Sequence, residues 1–217
     1  ENQYLLDEVN ITSDSKDVKP SQFNSYIRQN PNAKWFNLIK VPLRIYCTSG
    51  KDSTLWINKF LRKIGDAPVI YDESLATKSQ EVIEQAVKNM GYMRADVKLN
   101  KKIKKKKLKL NYQISTDKLY KINHIAYHID DLRIQEIIDK DSLNSHLYAG
   151  MPFNIVTLDA ERQRITKLLQ EQGYYKFNKD FLVYQADTVR NTYKVDITMK
   201  LLPYQRKKED IPTKHQA

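Results

Sequence analysis

The dipeptide Gly-Tyr occurs twice, at Gly91-Tyr92 and Gly173-Tyr174, each time at the end of a stretch with helical spacing of apolar residues. In the first stretch, 76–90, these are Ile83, Ala86, Val87 and Met90; in the second, 158–172, they are Ile165, Leu168 and Leu169. Glycine takes the left-handed conformation that closes a helix, and the tyrosine after it favours a strand. A proline precedes each helix, Pro68 in Gly-Asp-Ala-Pro and Pro152 in Gly-Met-Pro. A repeat of this kind governs the fold, because each copy must satisfy the same local preferences.

The remaining elements also recur. Tyr4, Leu6, Val9 and Ile11 have the same spacing as Tyr120, Ile122, Ile125 and Tyr127, with one break in alternation that predicts a bulged strand. A helix is expected after each, over 20–28 with Pro20 at an early position, and over 132–140 with Asp130 and Asp131 as N-caps. Two alternating strands follow each Gly-Tyr, about 93–99 and 108–114, then about 181–186 and 193–201. The expected class is α+β: two tandem βααββ units, each a three-stranded mixed sheet with helices on one face. The expected domains are 1–118 and 119–203, with 204–217 a polar linker. The strand match is offset by 116 positions and the Gly-Tyr match by 82, so the first copy carries 34 extra residues, within about 31–72. Trp35, Phe36, Trp56, Phe60 and Leu61 make this insertion too apolar for a flexible linker.

Apolar residues make up 41% and charged residues 29%, enough to build packed cores. The chain opens on Glu1 rather than Met and is expected to be a piece of a longer protein. Cys47, the single cysteine, excludes an internal disulfide and reads as buried or incidental. His124 and His128 lie four apart on a strand, roughly 13 Å, too far to share a metal. None of the five glycines belongs to a phosphate-cradling loop. No catalytic, cofactor or metal site is expected, and the chain reads as a binding module rather than an enzyme. The net charge of +11 is concentrated: eight lysines lie within 98–109, a stretch with no acid. Such a block calls for a local explanation rather than a nucleic-acid-binding face, and no nucleic acid is expected as partner.

The run from Gly150-Met-Pro-Phe-Asn through Leu158-Asp-Ala-Glu-Arg-Gln-Arg-Ile to Gln172-Gly-Tyr-Tyr resembles the signature of a POTRA domain, the polypeptide-transport-associated module of outer-membrane protein assembly factors. Ala67-Pro-Val-Ile-Tyr-Asp and Asn89-Met-Gly-Tyr-Met resemble it in the first copy. Gly91, Tyr92, Pro152, Gly173 and Tyr174 are its structural signature here. The resemblance covers nearly the whole chain and fits the BamA-like and TamA-like branches of the surface antigen family equally.

The resemblance implies a periplasmic region of a Gram-negative outer-membrane protein. Its expected partners are unfolded outer-membrane β-barrel proteins, with accessory lipoproteins or periplasmic chaperones. It also places the second strand of each unit at a sheet edge, where unpaired backbone groups accept an extended chain. The candidate edge residues are Arg94, Asp96 and Lys98, and Phe181, Val183 and Gln185. Lys101, Lys102, Lys104, Lys105, Lys106 and Lys107 fall in the intervening hairpin, as a guard against edge aggregation or as contacts to anionic lipid headgroups. The alternatives are a scaffold that holds lipoproteins without recognising clients, a TamA-like translocation module and, last, a basic nucleic-acid-binding protein.

Overall fold

The computed structural model describes residues 3–32, 67–190 and 192–204. The aromatic-rich part of the expected insertion, Cys47 and most of the expected linker lie outside them. The chain divides into two compact units, one formed by 1–86 and 95–116, the other by 87–94 and 117–217.

The first unit begins with β1 (Leu5–Ser13) and a 3-10 helix (Pro20–Tyr26), followed by α1 (Glu73–Asn89), β2 (Asp96–Lys104) and β3 (Lys107–Ser115). Its sheet has the order β1-β3-β2, with β1 parallel and β2 antiparallel to β3. β1 carries the expected bulge, between Leu6 and Glu8. Leu6, Phe23, Ala76, Ile83, Val97, Leu108, Leu110, Tyr112 and Ile114 are buried. The α-helix expected over 20–28 is a 3-10 helix instead. Only Phe23 along it is buried, no side chain caps it, and Ser21, Asn24 and Ser25 are residue types that favour turns over helix interiors.

The second unit runs β4 (Lys121–His128), α2 (Leu132–Lys140), a 3-10 turn (Ser142–Asn144), α3 (Ile155–Glu171), a 3-10 turn (Lys179–Phe181), β5 (Leu182–Thr188) and β6 (Lys194–Leu201). Its order is β4-β6-β5, again with a parallel and an antiparallel pair and a bulge between Ile122 and His124. Here the helix after the first strand is a true α-helix. Asp131 accepts from the Arg133 and Ile134 N–H groups, and Ile134 and Ile138, four apart, both face the core. α3 turns Leu158, Ile165 and Leu169 onto the sheet residues Val195, Ile197 and Met199. Each fully buried aliphatic side chain contributes roughly 1.5–3 kcal/mol.

The repeat is visible bond by bond. Leu6 N–H donates to the Val69 carbonyl (2.8 Å) and Tyr71 N–H to the Tyr4 carbonyl (2.9 Å); Ile122 N–H donates to Met151 and Phe153 N–H to Tyr120, both at 2.9 Å. Residues 4 and 6 correspond to 120 and 122, and residues 69 and 71 to 151 and 153, reproducing the offsets of 116 and 82. The segments holding Pro68 and Pro152 are thus short partners laid along the starts of β1 and β4. Asp72 and Asn154, again 82 apart, accept N–H groups at the starts of α1 and α3. Gly91 and Gly173 close those helices at φ 104° and 100°.

Candidate functional site

β2 and β5 are the outer strands expected from the sequence, but both begin later than expected. Arg94 lies in the turn before β2, and Phe181 lies in the 3-10 turn before β5. The N–H of Phe181 is bound to the Asn178 carbonyl at 3.1 Å. β2 also continues to Lys104. Main-chain pairing with β3 carries the strand past Leu99, beyond the point where its side chains stop being buried.

Backbone direction decides what each edge offers. In the first sheet the Ile114 carbonyl accepts from Asp14 N–H (3.2 Å) and the Lys106 carbonyl from Leu5 N–H (2.9 Å), so this parity of residues turns toward β1. The N–H and C=O of one strand residue point the same way and alternate along the strand. Lys107, Lys109, Asn111, Gln113 and Ser115 therefore face β2, where their partners are Lys104, Lys102, Asn100, Lys98 and Asp96. Asp96 and Lys98 spend their backbone groups inside the sheet. Val97, Leu99, Lys101 and Ile103 turn theirs outward. The Val97 carbonyl accepts from Gln80 Nε2 at 2.5 Å, so α1 covers the start of this edge.

The second unit repeats the pattern. Leu202 N–H donates to the Phe181 carbonyl (2.7 Å) and Val189 N–H to the Lys194 carbonyl (3.0 Å), which turns odd-numbered residues of β5 toward β6. Val183 and Gln185 therefore face inward through their backbone, while Leu182, Tyr184, Ala186 and Thr188 face outward. Every candidate edge residue named from the sequence is outside its strand or of the inward parity. Val183 and Gln185, like Asp96 and Lys98, flank the edge with side chains only. The signal for the outward set was present: it is the parity that carries the apolar residues of the core face.

The lysine hairpin is tighter than expected. Its turn is only Lys105-Lys106, both left-handed at φ 48° and 59°. Lys101 departs from the rest, since its Nζ lies 2.5 Å from Glu73 Oε1 and 5.2 Å over the Tyr71 ring, on the face of the sheet that carries α1. Glu73 first, then Tyr71, raise its pKa. Lys102 stands opposite Lys109, and Lys104 opposite Lys107. Since Leu108 and Leu110 are buried, these four lysines occupy the solvent face.

One buried polar centre escaped sequence reading. Glu161 is fully buried on α3; its Oε1 lies 2.8 Å from Arg164 Nη2 and accepts from Ser145 Oγ at 3.0 Å, and its Oε2 accepts from His146 N–H at 2.8 Å. Arg164 also pairs with Asp141. Burial pushes the Glu161 carboxyl up, but Arg164, His146 N–H and Ser145 outweigh it and hold the group below the usual carboxylate range. The centre ties 141–146 to α3. Its position in the apolar series Leu158, Glu161, Ile165, Leu169 was the available signal.

Among the described residues, no cluster of three or more His, Cys, Asp or Glu has metal-binding geometry, and no helix is long and apolar enough to cross a membrane. No protein-family model and no curated protein matches the sequence. Solved structures similar to this chain include POTRA domains. POTRA3-5 of Haemophilus influenzae BamA is 11% identical over 92% of this chain and 66% of that one, with a TM-score of 0.45. BamA from Haemophilus ducreyi lacking POTRA domains 1-3 is 14% identical over 92% of this chain and 29% of that one, at 0.44. POTRA1-2 of the periplasmic domain of Omp85 from Anabaena is 14% identical, covering 91% and 94%, at 0.40. The chain spans about two thirds of the first of these and under a third of the second.

Proposed function

We propose that this chain is a tandem POTRA segment in the periplasmic region of an outer-membrane protein assembly factor. Its role is to bind unfolded β-barrel clients by strand addition at β2 and β5. The observation that carries this reading is the outward row of backbone groups on each unit, at Leu99, Lys101 and Ile103, and at Tyr184, Ala186 and Thr188. Bonding to such a row demands little of the guest's side-chain sequence, which suits a receptor for many clients. The first strands are less suited, because residues 69–71 and 151–153 already pair with the starts of β1 and β4. Accessory lipoproteins or chaperones would use other surfaces.

Titration of the isotopically labelled chain with a peptide copied from an outer-membrane barrel strand tests the proposal. Amide shifts and slowed exchange are expected at those six residues, with smaller changes at Lys98, Asn100, Val183 and Gln185. Shifts confined to helices or loops would overturn strand addition. Stable capture of folded accessory proteins without any effect of the peptide would instead support a scaffold.

A further inference from the structure

The lysine hairpin is put together against its own stability. A two-residue turn with both residues left-handed favours Asn-Gly or Gly-Gly, yet Lys105 and Lys106 occupy these positions at φ 48° and 59°. Like charges directly opposite on neighbouring strands destabilise a hairpin, yet Lys102 faces Lys109 and Lys104 faces Lys107. Glu8 offsets one of these, pairing with Lys109 at 2.5 Å. Lys102, Lys104, Lys105, Lys106 and Lys107 have no ion pair among the described residues. A chain that violates turn chemistry and charge pairing in the same few residues has a use for the charge that folding does not explain.

The arrangement indicates the ligand chemistry. Lys102, Lys104, Lys105, Lys107 and Lys109, with Asp7, line an open depression of about 410 Å³. The cations are spread over strand, turn and strand rather than converging on one enclosed point. Ile103 alternates with Lys102 and Lys104 along β2 and so lies on the opposite face of the hairpin, 53% exposed although its partner across the ladder, Leu108, is buried. An extended, open cationic surface of this kind fits a plane of phosphate headgroups better than a compact soluble anion. We infer that the 102–107 hairpin docks the first unit on an anionic bilayer surface, with Lys102 and Lys104–107 at the headgroup phosphates. Lys101, held by Glu73, takes no part. The inference rests on the hairpin alone and is independent of strand addition.

Co-sedimentation of the full chain with vesicles provides the test, comparing phosphatidylcholine alone with phosphatidylcholine containing phosphatidylglycerol. Binding is expected only to the second and is expected to weaken with salt. The decisive variant is Lys105→Asn with Lys106→Gly, which supplies the preferred turn and is expected to melt no lower than the parent. It should lose about tenfold or more in partitioning, since each surface-near lysine contributes on the order of a fivefold effect. Strand-peptide shifts on β5 should stay unchanged in the same variant. Undiminished binding by the Asn-Gly variant would overturn the inference, as would equal binding to both vesicles. Full displacement by inositol hexakisphosphate at a phosphate concentration matched to the vesicles would assign the lysines to soluble phosphates. Retention of oligonucleotide without vesicle binding would assign them to nucleic acid.

Discussion

Residues 79 and 161 occupy the same place in the two units, on helices aligned by the 82-residue offset, and both are fully buried. In the first unit the residue is a serine, whose Oγ accepts from Arg28 N–H at 2.9 Å and donates to the Leu75 carbonyl at 2.9 Å. In the second it is Glu161, which accepts from His146 N–H in the corresponding way and adds Arg164, Ser145 and, through Arg164, Asp141. Both residues tether the segment ahead of the helix to the helix itself. Serine does so with one neutral bond, and glutamate does so with a charge that must be compensated wherever it is buried. The same fold thus tolerates a neutral and an ionic solution to one problem, and the two should fail differently.

The largest difference is expected from exchanging the solutions. Glu161→Ser leaves the Arg164 guanidinium short of its main counter-charge in a largely buried setting, and removing one partner of such a pair costs about 3–5 kcal/mol. Ser79→Ala orphans one N–H, that of Arg28, and should cost about 1–3 kcal/mol. Denaturant unfolding followed by hydrogen exchange assigns each loss to its unit. Equal losses in the two variants would show that the charge contributes nothing beyond the tether.

Acid separates the units by another route. The Glu161 carboxyl is held below its ordinary range, so its contribution is complete above the unfolded value of about 4.3 and is lost as pH falls through the folded value. Asp159, lowered by Lys179 and then Gln163, acts in the same direction in the same unit. The first unit has its own lowered carboxylate, Asp72, held by the Ser74 hydroxyl and neighbouring N–H groups, but it is exposed. Exchange measured along an acid titration should show amides of α3 and residues 141–147 opening before those of α1. Simultaneous opening would remove Glu161 from the explanation.

Much of this fold was legible because local signals and tertiary demands coincide. The bulged first strands, the left-handed Gly91 and Gly173, and the Asp131 cap each follow from a preference that a few neighbouring residues express. What could not be read depended on partners distant in sequence. The 20–28 segment carries Pro20 like a helix start, but only packing shows that Phe23 alone is buried and that no second turn is supported. The backbone parity of β2 depends on which side of β3 is taken by β1, about a hundred residues away. Tyr112 and Tyr184 donate to equivalent carbonyls, Ala76 and Leu158, both at 3.3 Å, yet the first comes from the central strand and the second from an edge. No offset in the sequence aligns them.

Gly91 and Gly173 share a backbone demand but not their surroundings. Both close a helix at φ near 100°, so alanine at either position forces a left-handed residue and should cost about 1–2 kcal/mol. At Gly91 the added Cβ would also come within 2.7 Å of the Phe153 carbonyl oxygen, so Gly91→Ala should lose more than this. Melting of the two variants checks this. A loss in Gly91→Ala no larger than the backbone cost would mean that the Phe153 segment gives way to the added methyl.

The smallest effects concern the two edges. A guest strand added to β2 lies beside the solvent-face side chains of Lys98, Asn100, Lys102 and Lys104, whereas one added to β5 lies beside Val183, Gln185 and Asp187. Opposite charges opposed across strands contribute roughly 0.2–1 kcal/mol per pair. A strand peptide with aspartate at alternate solvent-face positions should therefore favour β2 over β5 by a few-fold to about tenfold, and salt should erase the preference. Amide shifts read on Lys101 and Ala186 in a single titration report both edges at once. The Asn-Gly turn variant keeps Lys98, Lys102 and Lys104, so it should leave this preference intact while weakening vesicle binding. If it abolishes both, the hairpin and the β2 edge are one surface. If acidic and neutral peptides fill the two edges alike, the side chains flanking β2 take no part in client choice, and its lysines serve the hairpin tip alone.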